Sequence, residues 1–194
     1  MTIGRNNHTT FFLFLITLTL LPYTIFSQTP KGFVVTEKEA APSGKTRALI
    51  IGISKYEYID TLQYADRDAK IFAEYLRQNS FWGINKDDVT LLVNDKAKYG
   101  DLTVQLQRIA MVSKPGDNLL FYFSGHGDLE SRTTNDLGFL IAHNTMRNNY
   151  MFNSVSIENL NHYAEILSKN KKAKVVFITD ACHSGTLVGN AINA

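Results

Sequence analysis

The chain has 194 residues, of which 44% are hydrophobic, 20% charged and 11% aromatic, with 12 Gly and 4 Pro. That balance excludes a disordered or collagen-like chain and suits one globular domain with a substantial core. Lys and Arg number 20 against 18 Asp and Glu, and the resulting net charge of +2 gives no electrostatic case for nucleic acid or an anionic membrane as partner.

Arg5 is the only charge before an apolar run, Phe11 to Leu21, that ends at Pro22. A membrane-spanning helix needs about 20 apolar residues. The shorter run suits the apolar region of a secretory signal over residues 1–27, cut after Ser27. No cysteine lies directly after it, which excludes a lipid-modified cysteine anchor there. The expected location is secreted or periplasmic, with no membrane contact after cleavage; an uncleaved N-terminal anchor is the alternative. Residues 28–45, with Pro30, Pro42 and Gly44, read as a polar linker, and residues 46–194 as the folded domain.

From Arg47 onward strand and helix patterns alternate. Ala48 to Ile53 is wholly apolar, as expected of a strand covered on both faces. A helical pattern starts near Asp66, with Ala65, Ala69, Phe72, Ala73 and Leu76 on one side. Val89 to Val93 is a second strand, and Leu102, Leu106, Ile109 and Ala110 mark a second helix. Asn118 to Ser124 is a third strand, with Tyr122 and Phe123 read as core and strand residues, and Leu137 to Ala142 is a short extended piece. Ser156 caps a third helix through Ile157, Leu160, Ala164 and Leu167. Lys169 to Lys174 reads as a solvated turn before a fourth strand, Lys174 to Thr179. This order implies an α/β fold, a mainly parallel sheet with helices on both faces.

In such sheets the chemistry sits beyond the carboxyl ends of the strands. Ser124-Gly125-His126-Gly127-Asp128 follows the third strand, and Asp180-Ala181-Cys182-His183-Ser184-Gly185 follows the fourth. A histidine and the only cysteine therefore leave the same edge of one sheet. If their strands are neighbours, about 5 Å apart, imidazole and sulfur face each other, which nucleophilic thiol catalysis requires.

Ser-Gly-His-Gly after one apolar strand and Asp-Ala-Cys-His-Ser-Gly after the next resemble the caspase-like cysteine peptidases, most of all the metacaspases and bacterial caspase-like proteins. The likeness runs from about Arg47 to Gly185. It implies a three-layer caspase-like sandwich. It implies Cys182 as nucleophile, His126 as catalytic histidine, and the backbone N–H groups of Gly127 and Cys182 as oxyanion hole. Gly125 and Gly127 would let the backbone turn and approach substrate closely. Asp68, in Leu62-Gln63-Tyr64-Ala65-Asp66-Arg67-Asp68-Ala69, matches a substrate-pocket aspartate, as do Asp180 and Ser124 two further pocket positions; Asp66 is read as a helix-start residue. Two carboxylates in one pocket favour protein or peptide substrates cut after Arg or Lys.

No cofactor is expected. Many metacaspases hold calcium, but no ligand set for it is identifiable here, and no His/Cys cluster suits zinc. Only 12 residues follow Cys182, whereas caspase-like domains continue with a small-subunit-like part. A partner chain completing the sheet is therefore one expectation. A catalytically inactive interaction module of the same fold is the alternative function.

Overall fold

The computed structural model describes residues 44–79, 83–130, 137–147 and 149–181. The expected signal region, and with it Cys182 and every residue beyond it, lies outside the described residues.

Four strands, β1 (Thr46–Gly52), β2 (Val89–Val93), β3 (Asn118–Gly125) and β7 (Lys174–Ala181), form a parallel sheet in the order β2-β1-β3-β7. Three shorter strands, β4 (Gly127–Glu130), β5 (Leu137–Ile141) and β6 (Ser154–Ser156), form an antiparallel sheet beside it. The helices are α1 (Ala65–Gln78), α2 (Tyr99–Val112) and α3 (Ile157–Glu165).

Strand side chains alternate between the two faces of the main sheet. Ala48, Ile50 and Leu120 meet Ala69, Ala73 and Leu76 of α1 on one face. Leu49, Ile51, Leu119, Phe121 and Phe123 meet Leu102, Leu106 and Ile109 of α2 and Leu160 of α3 on the other. The core is thus double, one layer of helix on each side. The α/β architecture implied by the alternating pattern is the architecture observed.

Local chemistry fixes where the helices start. The Ser156 hydroxyl accepts the Asn159 N–H at 3.1 Å and caps α3. Asp101 accepts the Lys98 N–H at 3.3 Å at the start of α2. At α1, Gly52 supplies the space: a Cβ there would collide with the Ala69 methyl and the Ala65 carbonyl, so its absence lets the helix lie close to β1. The extended piece expected over Leu137 to Ala142 is β5, whereas β4 and β6 carried no pattern of their own. The lysine-rich stretch is more structured than a solvated turn. Ile166–Asn170 continues α3 as a π-helical turn, Lys169 pairs with Glu165 at 3.1 Å, and Lys174 opens β7.

Among the described residues β7 pairs only with β3, and Val176 on its α1 side is 47% exposed.

Each end of the main sheet is tied by one aspartate. At the amino ends, Asp117 takes the Arg47 guanidinium at 2.7 Å and the N–H groups of Lys45 and Lys114 at 2.9 and 3.0 Å, while its carbonyl accepts the Lys174 N–H at 3.0 Å. β1, β3 and β7 are therefore joined through one residue. Burial alone would raise the Asp117 carboxyl, but the hydrogen bonds from Arg47, Lys114 and Lys45 outweigh it and hold the group below the ordinary range. The Arg47 and Asp117 side chains are only 11% and 7% exposed. Removing one partner of such a pair leaves the other buried and unmatched, at a cost of about 3–5 kcal/mol. Asp117→Ala is accordingly expected to lower unfolding free energy by about that amount in urea titrations.

At the carboxyl ends, Asp66 plays the corresponding role. It accepts Lys70 Nζ at 2.7 Å, the Ser54 hydroxyl at 2.7 Å and the Asn94 amide at 3.4 Å. Lys70 first, then Ser54, hold its carboxyl at about 2 against the opposing effect of burial. A carboxyl depressed in the folded state stabilises fully above its unfolded value, and that contribution disappears as pH falls through the folded one. Between about pH 4 and about pH 2 the stability of the wild-type protein should therefore fall more steeply than that of Asp66→Asn, read from chemical denaturation at each pH.

Candidate active site

The β3–β7 ladder runs from Asn118↔Lys174 to Gly125↔Ala181. The next residue of β3's chain is His126, and the next after Ala181 in the sequence is Cys182. His126 is described; Cys182, the expected nucleophile and oxyanion donor, is among the residues that are not.

His126 is held by its backbone and by its ring. Its N–H donates to the Tyr56 hydroxyl at 2.7 Å, and its carbonyl accepts the Ile141 N–H at 3.0 Å. Tyr56 is buried, and its ring centroid lies 5.0 Å from the imidazole. Nε2 lies 2.9 Å from the Asp60 carbonyl oxygen. A carbonyl can only accept, so Nε2 carries the proton and donates, which leaves Nδ1 as the basic nitrogen of the neutral ring. Gly125 matters here through space rather than through a turn. A Cβ at this position would lie 2.7 Å from the Tyr56 hydroxyl oxygen. Gly127 opens β4, opposite Leu140 of β5.

Tyr56 and Asp60 belong to one loop between β1 and α1. The Ser54 carbonyl accepts the Leu62 N–H at 2.8 Å, closing the loop at its base. The His143 carbonyl accepts the Glu57 N–H at 2.9 Å, and His143 Nδ1 lies 2.7 Å from the Lys55 carbonyl. Asn94, with a left-handed φ of 48°, turns its side-chain oxygen to the N–H groups of Ser54 and Lys55 at 2.9 and 3.0 Å. Asp60 also pairs with Arg147 at 2.7 Å, though both side chains are exposed and the pair adds little. The Tyr150 hydroxyl donates to Asp128 at 2.9 Å and ties the segment after β5 to β4.

The expected substrate-pocket residues gather on the α1 face of the sheet. Ser124 and Asp180 are register partners, and the buried Ser124 hydroxyl donates to Asp180 Oδ2 at 3.4 Å. Tyr122, two residues before Ser124 and so on the same face, packs against Phe72 of α1 with the rings tilted and their centroids 4.9 Å apart. Asp68 lies one helical turn before Phe72. Burial raises the Tyr122 phenol above its ordinary pKa; the Ser124 side chain opposes this, and the negative charges of Asp180 and Asp68 reinforce it. Asp68, Tyr122, Ser124 and Asp180 therefore share one neighbourhood, with both carboxylates exposed. Asp66, two positions from Asp68, is committed to the Ser54–Asn94–Lys70 network instead.

Three participants escaped the sequence reading. Tyr122 reads from sequence as a core and strand residue; its ring does pack, but its phenol also feels the charges of Asp180 and Asp68. Period-two alternation with Ser124 was the available signal. Tyr56 had no signal of its own, and the glycine at 125 that makes room for it reads in sequence as a turn residue. The Asp60 carbonyl has no side-chain signature at all.

Among the described residues no group of three His, Cys, Asp or Glu side chains is arranged to hold a metal ion, and no helix is long and apolar enough to cross a membrane.

Known proteins resemble the chain in sequence and in fold. The chain is 23% identical over 150 residues to a metacaspase-1 from Debaryomyces hansenii, and 26% identical over 149 residues to one from Mycosarcoma maydis. Each match covers 74% of this chain, but only 34% and 36% of the relative, so the chain spans about a third of the length of these curated relatives. The crystal structure of a protein from Geobacter sulfurreducens superimposes with a TM-score of 0.56 at 15% identity, covering 71% of this chain and 50% of the other, a likeness of fold alone. The family model for the caspase domain matches residues 45–193, which takes in both strand-end motifs and the sheet that carries them, and on that match the chain belongs to the caspase-domain family.

Proposed function

We propose that the protein is a cysteine-type endopeptidase that cuts after Arg or Lys through an acyl-enzyme on Cys182. The carrying observation is the β3–β7 register: two neighbouring parallel strands end at Gly125↔Ala181, and the residues that follow are His126 and Cys182.

Each step falls to a named atom. His126 Nδ1, basic because Nε2 is engaged by the Asp60 carbonyl, takes the proton from the Cys182 thiol. The thiolate attacks the scissile carbonyl carbon, and the N–H groups of Gly127 and Cys182 stabilise the developing oxyanion. Collapse of the tetrahedral intermediate breaks the C–N bond, and the imidazolium returns its proton to the leaving amine. Water, deprotonated by the same nitrogen, then attacks the thioester carbonyl; the C–S bond breaks, the acid product leaves, and the imidazolium returns its proton to the Cys182 thiolate.

The acidic neighbourhood supports the preference for basic residues. Asp68 and Asp180 present two exposed carboxylates, and Ser124 orients Asp180. A guanidinium or ammonium bound between them gains charge-assisted hydrogen bonds, whereas an aspartate side chain is repelled. The natural substrates are then proteins or peptides with accessible Arg or Lys. No metal ion has a role in these steps. The signal-like N-terminal run supports action outside the cytoplasm.

Full-length protein and Cys182→Ala are to be compared on reporter peptides ending in Arg, Lys or Asp. Arg and Lys reporters should be hydrolysed, and the variant should lose at least about a thousandfold in kcat/KM. Equal rates, or no hydrolysis by either, overturn the enzyme and leave a non-catalytic interaction module of the same fold.

Asp68→Asn and Asp180→Asn each remove one charge-assisted contact, of about 1.5–3 kcal/mol. Arg-reporter kcat/KM should drop about tenfold to a hundredfold in each, with melting temperature nearly unchanged because both side chains are exposed.

A further inference from the structure

We infer that the Tyr56 hydroxyl positions His126, fixing the backbone from which the imidazole reaches its partner; the inference deepens the peptidase reading and rests on it for its kinetic consequence.

The main-chain groups of His126 are both committed. Its carbonyl accepts the Ile141 N–H at 3.0 Å, which ties it to β5. Its N–H, just past the last β3–β7 register pair, turns to the Tyr56 hydroxyl at 2.7 Å. The donor to Asp60, Nε2, is the third tether, at 2.9 Å. Tyr56 and Asp60 lie four residues apart in one loop, so a single segment holds the histidine by main chain and by ring. The tyrosine is 9% exposed, and Gly125 leaves the room its hydroxyl occupies.

The loop does not depend on that hydroxyl for its own shape. The bonds from Glu57 N–H to the His143 carbonyl, 2.9 Å, and from Leu62 N–H to the Ser54 carbonyl, 2.8 Å, are made by backbone. Tyr56→Phe keeps the ring and these bonds and removes the acceptor of the His126 N–H. The bond from the Ile141 N–H to the His126 carbonyl and the tether on Nε2 then hold the histidine without the anchor on its N–H.

In Tyr56→Phe, kcat on the Arg reporter falls about tenfold with KM within about twofold, the kinetic equivalent of about 1.4 kcal/mol. In the resting full-length protein labelled with ¹⁵N-histidine, the Nε2 proton of His126 exchanges with water about tenfold faster than in wild type, a change that lost packing alone does not produce when melting temperature holds. Gly125→Ala, which sets a methyl 2.7 Å from the phenol oxygen, reproduces both effects. Tyr58→Phe, which alters an exposed hydroxyl bonded to Glu57, reproduces neither. Wild-type kcat and wild-type exchange in Tyr56→Phe overturn the inference. Faster exchange in a protein that hydrolyses no reporter upholds the tether and rejects the peptidase.

Discussion

Two parallel strands in fixed register organise everything that lies at the carboxyl edge of the main sheet. Because side chains alternate, a one-residue slip of β7 against β3 would carry Ile178 and Asp180 to the opposite face, away from Tyr122, Ser124 and Asp68. Packing on both sides opposes that slip. Phe121 and Phe177 meet edge to face at 5.3 Å on the α2 side, and Tyr122 and Ile178 join the cluster under α1 on the other. The Lys174 N–H bonded to the Asp117 carbonyl sets the starting point of the pairing. The acidic cluster is thus a product of hydrophobic packing several residues away from it.

The polar network follows the same economy. The loop after β1 carries no regular structure, yet its position is determined, because Asn94 from the end of β2, His143 from the end of β5 and Ser54 within the loop each satisfy its main-chain groups. Among the described residues no buried side-chain polar atom lacks a partner. Such fully paired interiors are stiff, since each displaced group would leave another unsatisfied. The histidine therefore stands on a rigid support even though the segment that holds its N–H and its ring is a loop.

The alternation of apolar strand and amphipathic helix was legible without coordinates, since burial on both faces leaves runs such as Ala-Leu-Ile-Ile and Val-Val-Phe-Ile. The motifs at the ends of β3 and β7 were legible because small residues flank the reactive types. Strands β4 and β6 were not, being too short to express a period. The double role of Tyr122 was hidden because an aromatic in a strand reads as core, and only the third dimension reveals where its hydroxyl ends. The separate fates of Asp66 and Asp68 turned on residues distant in sequence: Ser54 and Asn94 bind the first, while the second lies near enough to Tyr122 for its charge to be felt there. The tether from the Asp60 main chain has no letter to read.

A missing atom at Gly52 governs a distance that none of the charged residues sets for itself. With no side chain there, the first turns of α1 rest directly on β1, and the helix brings Asp68 toward the sheet that bears Asp180. A methyl at this spot would act as a wedge, tilting the helix outward and widening the gap between the two carboxylates. The spacing between the two carboxylates is consequently encoded at a neutral, buried residue, and a search confined to the acids themselves would overlook it.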